Sequence, residues 1–467
     1  MRDMTRRNSF TFSFKGKKPG RPAAVLVFLG LMAVTLLLVD AVVRAKFIGD
    51  STTIVDGFYA EKKNDIDMIV IGSSNSFCTI DPLVLYENYG IAAYDFGSSS
   101  QPMNMSVLYL KEALKQQSPK VVAFEVNMLL SDPVSSRNES GLRWGFTDLP
   151  LSVDKLQGIY QSVGTVDAEY FSYVFPVLRY HNRWKELSKT DYTYFYKDKT
   201  NYTKGYLETQ LVSETAINLG DYDSAGEAWI AEENIRYLDE MVRICEKNHV
   251  ELLLFKSPKE SWYRYDTEAV RALAEERGLD FVDYNELYYL NALELDVTHD
   301  FRDAQHLNDF GAQKVSLHFG DYVKEHYALA DRRGEDEANS WDKALLYRQR
   351  SGWQEFMAAA NAKECLELLQ DDGNYVLIVT DAAAGDANQL QQWVYEDKEV
   401  VFQRLWQESG LVHRRLGADS ELVLSRYGDL YQILIDGVEQ YQAGSRWNII
   451  VYDKITGKIA ANLCFDE

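Results

Sequence analysis

Asp67-Met68-Ile69-Val70-Ile71-Gly72-Ser73-Ser74-Asn75-Ser76-Phe77 sets the fold class of this chain. A short apolar run that stops at a glycine reads as a buried strand. The serines that follow lie where a strand turns into a helix. The pattern recurs downstream. Strands are predicted over Ala92 to Phe96, ending at Gly97, over Val121 to Val126, ending at Asn127, over Glu251 to Phe255 and over Asp280 to Tyr284. Helical spacing marks Pro82 to Tyr89, Met105 to Gln116, Ile235 to Asn248, Thr267 to Arg277 and Gly311 to Tyr327. Strand–helix alternation of this kind predicts an α/β domain built on a doubly wound parallel sheet. Ligands of such sheets sit at the carboxyl ends of the strands. Gly72-Ser73-Ser74, Gly97 and Asn127 each follow a strand and are expected to share one crevice.

Residues 128–230 break the alternation. They are rich in Tyr, Trp and Asp and read as a long, partly helical insertion between the third and fourth strands. A polar stretch from Asp331 to Asn339 closes the domain, which is expected over 46–330. Beyond it, 340–467 reads as a smaller β-rich domain. Its predicted strands are Tyr375 to Val379, Tyr431 to Ile435 and Asn448 to Tyr452, with turn signals at Asp436-Gly437 and Thr456-Gly457 and a helix over Ala387 to Tyr395.

The amino end places the chain. Residues 1–22 carry Arg2, Arg6, Arg7, Lys15, Lys17, Lys18 and Arg21 against one acid, Asp3. An apolar run follows over 23–43, long enough to cross a hydrocarbon core of ~30 Å. By the positive-inside rule the basic tail is cytoplasmic and the rest lies outside, giving a single-pass plasma-membrane protein. A cleaved signal peptide is the competing reading, and it leads to the same export. Across the 467 residues the formal net charge is −22, which repels phosphates, so no nucleic-acid partner is expected. The four cysteines, Cys78, Cys245, Cys365 and Cys464, form no C-x-x-C pair. They read as buried thiols, with a Cys365–Cys464 bridge as the alternative.

Three motifs carry chemistry. Ser74, on a strand-to-helix turn, presents a hydroxyl and a free amide, which suits a nucleophile. In Asp303-Ala304-Gln305-His306 the spacing of three lets the carboxylate hold the imidazole through Nδ1 and leaves Nε2 for a serine. Gly97 and Asn127 can both direct N–H groups at one oxyanion. Each motif alone is also what an ordinary turn, cap or packed histidine looks like. His299 with His306 is too small a set for a metal site, so neither metal nor cofactor is expected.

In order and placement these blocks resemble the SGNH (GDSL-like) hydrolase family over roughly residues 65–330: Gly72-Ser73-Ser74, Gly97, Asn127 and Asp303 to His306. The resemblance implies Ser74 as nucleophile, His306 as base and Asp303 as its orienting partner. The oxyanion hole would come from Ser74, Gly97 and Asn127. Ser73 stands where the family commonly has Asp. The Gly-Ser-Ser form looks like the membrane-anchored branch that includes alginate O-acetylation and teichoic-acid D-alanylation proteins. By that likeness Tyr180, His181, Arg183 and Trp184 of the insertion line the crevice, with packing of a lid as the other reading. The branch also implies a multi-span membrane O-acyltransferase as partner and cell-surface polysaccharide as substrate. The tail, about 365–467, resembles the interleukin-like EMT-inducer domain, which implies a β-sandwich-like module whose aromatics read either as carbohydrate-binding or as packing. The function expected is therefore an O-acyltransferase or esterase, set against a non-catalytic glycan-binding scaffold and a membrane-tethered lipid esterase.

Overall fold

A computed structural model describes residues 21–44, 51–335 except 188, 197–198 and 214–215, then 340–350, 359–368 and, in the tail, strand segments between 375 and 465. The first helix is α1 (Arg21–Val43), followed by α2 (Ser51–Ala60). The α/β unit then runs β1 (Met68–Ile71), α3 (Ser74–Phe77), α4 (Pro82–Tyr89), β2 (Ala93–Asp95), α5 (Met103–Gln116) and β3 (Val121–Glu125). The insertion contributes α6 (Glu139–Phe146), α7 (Val153–Val163), α8 (Ala168–Val174), α9 (Val177–Tyr180) and α10 (Lys189–Thr193). The unit resumes with α11 (Glu232–Asn248), β4 (Glu251–Lys256), α12 (Arg264–Glu276), β5 (Asp280–Asp283), α13 (Leu287–Ala292), β6 (Phe301–Asp303), β7 (His306–Leu307) and α14 (Asp309–His326).

The five strands β2-β1-β3-β4-β5 form one sheet in that order, every pair parallel. Alternate residues supply two apolar layers. Ile69, Ile71, Val122, Phe124, Leu252 and Leu254 face one, and Met68, Val70, Val121, Ala123, Leu253 and Phe255 the other. Buried on both faces, the strands need no polar alternation, which is why they read as continuous apolar runs. Helices cover both faces: α5 packs on α11 and β1, and α4 packs on α14. Chain direction changes at capped helix ends. Asp81 accepts from the N–H groups of Leu83 and Val84 with Pro82 at the first helical position, and Gly90 ends the same helix at φ 68°.

α1 is long and apolar enough over Ala24–Val43, 20 residues, to cross a membrane. Its side chains are exposed at every described position from Ala24 to Val39 and become covered from Asp40 onward.

The helix Ser340–Arg350, α15, corrects the expected boundary at 340. Trp341, Ala344 and Arg348 fall on one face, three and four residues apart, and bury into the α/β unit. Trp341 Nε1 donates to the Ala93 carbonyl at 3.0 Å, and Arg348 pairs with Asp81 at 3.0 Å and Glu208 at 3.1 Å. The polar spacer before it hides this helix's attachment, because its partners, Asp81 and Ala93, lie some 250 residues upstream.

The tail is β-rich. Leu411–Leu416, Ser420–Tyr427, Leu430–Ile435 and Val438–Gln440 form an antiparallel meander. Lys458–Phe465, Trp447–Asp453, Tyr375–Asp381 and Val400–Arg404 form a second sheet, whose last pair is parallel. Ile433 and Ile435 of the first sheet share an apolar core with Ile450 and Tyr452 of the second. The predicted helix over Ala387 to Tyr395 and the turn at Thr456-Gly457 lie outside the described residues, as does the Cys464 side chain. Cys78, Cys245 and Cys365 are buried thiols.

Candidate active site

Ser74 opens the short helix that follows β1. At Gly72 the backbone passes so close to its neighbours that an added Cβ would lie 2.9 Å from Glu125 Cβ and 3.0 Å from Ser76 Cβ. Ser76 Oγ braces the turn by donating to the Ser73 carbonyl at 2.8 Å. As the first residue of a helical turn, Ser74 has an amide with no carbonyl partner inside that turn.

The imidazole arrives from the far end of the unit. β6 and β7 are a hairpin closed by Ala304 and Gln305, and its register pairs Asp303 with His306 across the strands. Cross-strand partners lie on one face, so carboxylate and ring meet. His306 Nδ1 lies 2.9 Å from Asp303 Oδ1 and 3.0 Å from Oδ2, and the Gln305 N–H donates to Oδ1 at 2.8 Å. With the Nδ1 proton directed at Asp303, Nε2 is left as the acceptor, and Ser74 Oγ sits 2.8 Å from it. Asn75 Nδ2 donates to the Gln305 carbonyl at 2.6 Å, which ties the serine turn to the hairpin.

The electrostatics suit proton transfer. Burial raises the Asp303 carboxyl, but the His306 hydrogen bond and charge, the Gln305 amide and Arg302 outweigh it and bring the group to about 2. Burial lowers His306, helped by the charges of Arg302 and Lys259 and opposed by Asp303. The ring is therefore neutral at neutral pH and can take a proton, while Asp303 stays ionised to receive the resulting imidazolium.

Gly97 and the β3 exit border the same turn. A Cβ on Gly97 would lie 2.4 Å from the Gly72 carbonyl oxygen, so only glycine fits there. Asn127 follows β3 in a single 3₁₀ turn, Val126–Leu129. Its N–H donates to Glu125 Oε2 at 3.0 Å, and its Oδ1 accepts from Lys259 Nζ at 3.2 Å. Glu125 is itself buried and paired with Lys256 at 2.5 Å. A buried ion pair at the ends of β3 and β4 thus supports Asn127, and Lys259 holds its carbonyl side. Desolvation and the neighbouring Lys256 charge push Lys259 down to about 8. Lys259, Asn75 and Arg302 were not singled out in the sequence. Lys259 carried the same signal as the others, a polar residue just beyond a strand's carboxyl end, in Ser257-Pro258-Lys259 after β4.

The contacts of four further candidates are with the end of α1 and with their own segment, as the packing reading has it. Tyr180, His181, Arg183 and Trp184 belong to the segment that packs against the end of α1. Arg183 donates to the carbonyls of Val43 at 3.0 Å and Arg44 at 2.7 Å and pairs with Asp191 at 2.9 Å. The last carbonyls of a helix have no partner within it, and Arg183 supplies one. His181 Nδ1 faces the Leu178 carbonyl at 3.0 Å, burial raises the Tyr180 hydroxyl, and Trp184 is exposed. His299 pairs with Asp300 and lies against Phe310 rather than beside His306. Among the described residues, no group of three or more His, Cys, Asp or Glu could hold a metal ion.

No protein-family model and no curated protein matches this chain.

Proposed function

We propose that the chain is a membrane-anchored serine O-acyltransferase or esterase of SGNH type, facing out of the cytoplasm and acting on cell-surface polysaccharide. The observation that carries the reading is the continuous hydrogen-bonded line from Ser74 Oγ through His306 to Asp303, with 2.8 Å at the serine. A solvent-facing serine has no need of a half-buried, carboxylate-oriented imidazole, whereas a nucleophile does. The parallel order β2-β1-β3-β4-β5 with helices on both faces supports a doubly wound assignment.

In the proposed reaction, Ser74 Oγ attacks the carbonyl carbon of an O-acyl donor and passes its proton to His306 Nε2. The negative charge that develops on the carbonyl oxygen faces the Ser74 and Gly97 amides and the Asn127 side chain. Collapse of this adduct breaks the carbon–oxygen bond to the leaving alcohol, which takes the proton from His306. The acyl-serine is then resolved by the reverse sequence, with water giving hydrolysis or a sugar hydroxyl giving transfer. Transfer calls for a donor delivered across the membrane, and a multi-span O-acyltransferase is the proposed partner. The α1 helix serves as the anchor, and the β-rich tail is proposed to bind the glycan.

The test is labelling of the full chain with a fluorophosphonate probe. Wild-type protein is expected to label and Ser74→Ala is not. A well-folded wild type without Ser74-dependent label would make the domain a glycan-binding scaffold instead. Mass analysis of surface glycans separates the two chemistries: Ser74→Ala cells lose acyl groups if the protein transfers them and gain them if it removes them.

A further inference from the structure

Residues 171–184 are tied to the last turn of α1 by three independent contacts. The Val177 N–H donates to Asp40 Oδ1 at 2.6 Å, Arg183 holds the Val43 and Arg44 carbonyls, and α9 packs along α1. The outer face of the same segment carries four large apolar side chains, with Arg179 and His181 exposed among them. Leu178 is 53% exposed, Trp184 63%, Phe171 43% and Phe175 37%.

Helix length turns this juxtaposition into a statement about depth. The apolar run of α1 ahead of Asp40 is Ala23 to Val39 in the sequence, about 17 residues or ~26 Å at 1.5 Å per residue. That falls short of a ~30 Å hydrocarbon core by about one helical turn. The missing turn is Asp40 to Val43, the one clad by the 171–184 segment. If α1 spans, this cladding is drawn down to the bilayer surface with Leu178 and Trp184 still facing outward. Trp and Leu beside a lysine make the composition of an interfacial contact, and Lys185 Nζ lies 5.6 Å from the Trp184 ring.

We infer that residues 171–184 form a collar around the membrane helix that seats in the outer headgroup region of the lipid bilayer and holds the α/β unit at a set height above it. The collar rests on the reading of α1 as a spanning anchor. It shields the Asp40 carboxylate, which the Val177 amide caps, from hydrocarbon. It completes a span that the apolar run alone leaves short.

The experiment uses the full chain in nanodiscs of phosphatidylcholine and phosphatidylglycerol. In a Cys464→Ser background, where Cys78, Cys245 and Cys365 are buried, an environment-sensitive fluorophore is attached to Leu37→Cys, Leu178→Cys, Trp184→Cys or Tyr288→Cys. Tyr288 is the control, 74% exposed on α13. Lipids carrying a doxyl quencher near the headgroup are expected to cut emission at 178 and 184 about twofold and leave 288 unchanged. Quenching by deep-doxyl lipid at 37 with none at 178 and 184 would overturn the collar and leave the anchor. It would point to a membrane protein as cover, detectable by crosslinking from position 184 in native membranes. No quenching at 37 would remove the anchor reading and the collar with it. Equal quenching at 288 would also overturn the collar, because the surface would then be unselective.

Discussion

The serine turn and the α9 segment are both rich in polar and aromatic residues, and both hold their key side chains in hydrogen bonds, yet they do opposite work. At Ser74 the donors and acceptors come from strand ends distant in sequence and leave a reactive pair, Oγ and Nε2, pointed at each other. At Arg183 the guanidinium donates to the Val43 and Arg44 carbonyls at the end of α1, and nothing reactive is left over. A cluster of Arg, His, Tyr and Trp is thus no sign of a crevice by itself. What distinguishes the two is that one aligns a hydroxyl on an imidazole nitrogen and the other ties a guanidinium to a helix end.

Substitution separates the two regions most sharply at the proposed nucleophile, Ser74. Ser74→Ala is expected to lower kcat by about 10⁴-fold or more with an unchanged melting temperature, since the side chain is a small hydroxyl on a braced turn. Activity near wild type would break the comparison. Asp303→Asn keeps the shape and removes the charge that orients His306, so kcat should fall by about 10³- to 10⁴-fold while KM holds. Arg183→Ala inverts the pattern. It removes the donor that two helix-end carbonyls and Asp191 share and is expected to cost about 1–3 kcal/mol of stability, read by denaturant unfolding in nanodiscs, with kcat within about twofold of wild type. A large loss of kcat would return Arg183 to the crevice.

The smallest expected effect is on pH dependence. His306 must be neutral to act as base, and its pKa is lowered from 6.5, so the acid limb of kcat/KM should fall below pH 6.5. Lys259→Met removes a positive charge that disfavours the imidazolium, so that limb should move upward. No movement would separate Lys259 electrostatically from the ring. Asp303 has the opposite consequence for stability. Its carboxyl is depressed from 3.8 to about 2, so its contribution is complete above 3.8 and is lost as pH falls through 2.

The sheet was legible because strands buried on both faces, such as Met68 to Ile71 and Leu252 to Phe255, spell themselves as apolar runs ending in a glycine or a charge. The site was legible where a residue follows such a run, as Ser74, Gly97 and Asn127 do, and where spacing alone brings two groups together, as in Asp303 and His306. Attachment was not legible. Trp341 and Arg348 look like an exposed helix until α4 and β2 are in place beneath them, and Arg183 looks like a ligand-binding residue until the end of α1 is beside it. Partners so far apart in sequence leave no local periodicity to read.

The reactive pair joins residues 232 positions apart, and the Asn75–Gln305 bond bridges nearly the same interval. Translation proceeds from the amino end and domains take shape as they emerge. Any shorter nascent chain therefore carries its serine without a base. Under the proposed reaction, competence waits for the β6–β7 hairpin to fold against the serine turn, so an unfinished or truncated molecule would be chemically silent toward its surroundings and toward itself.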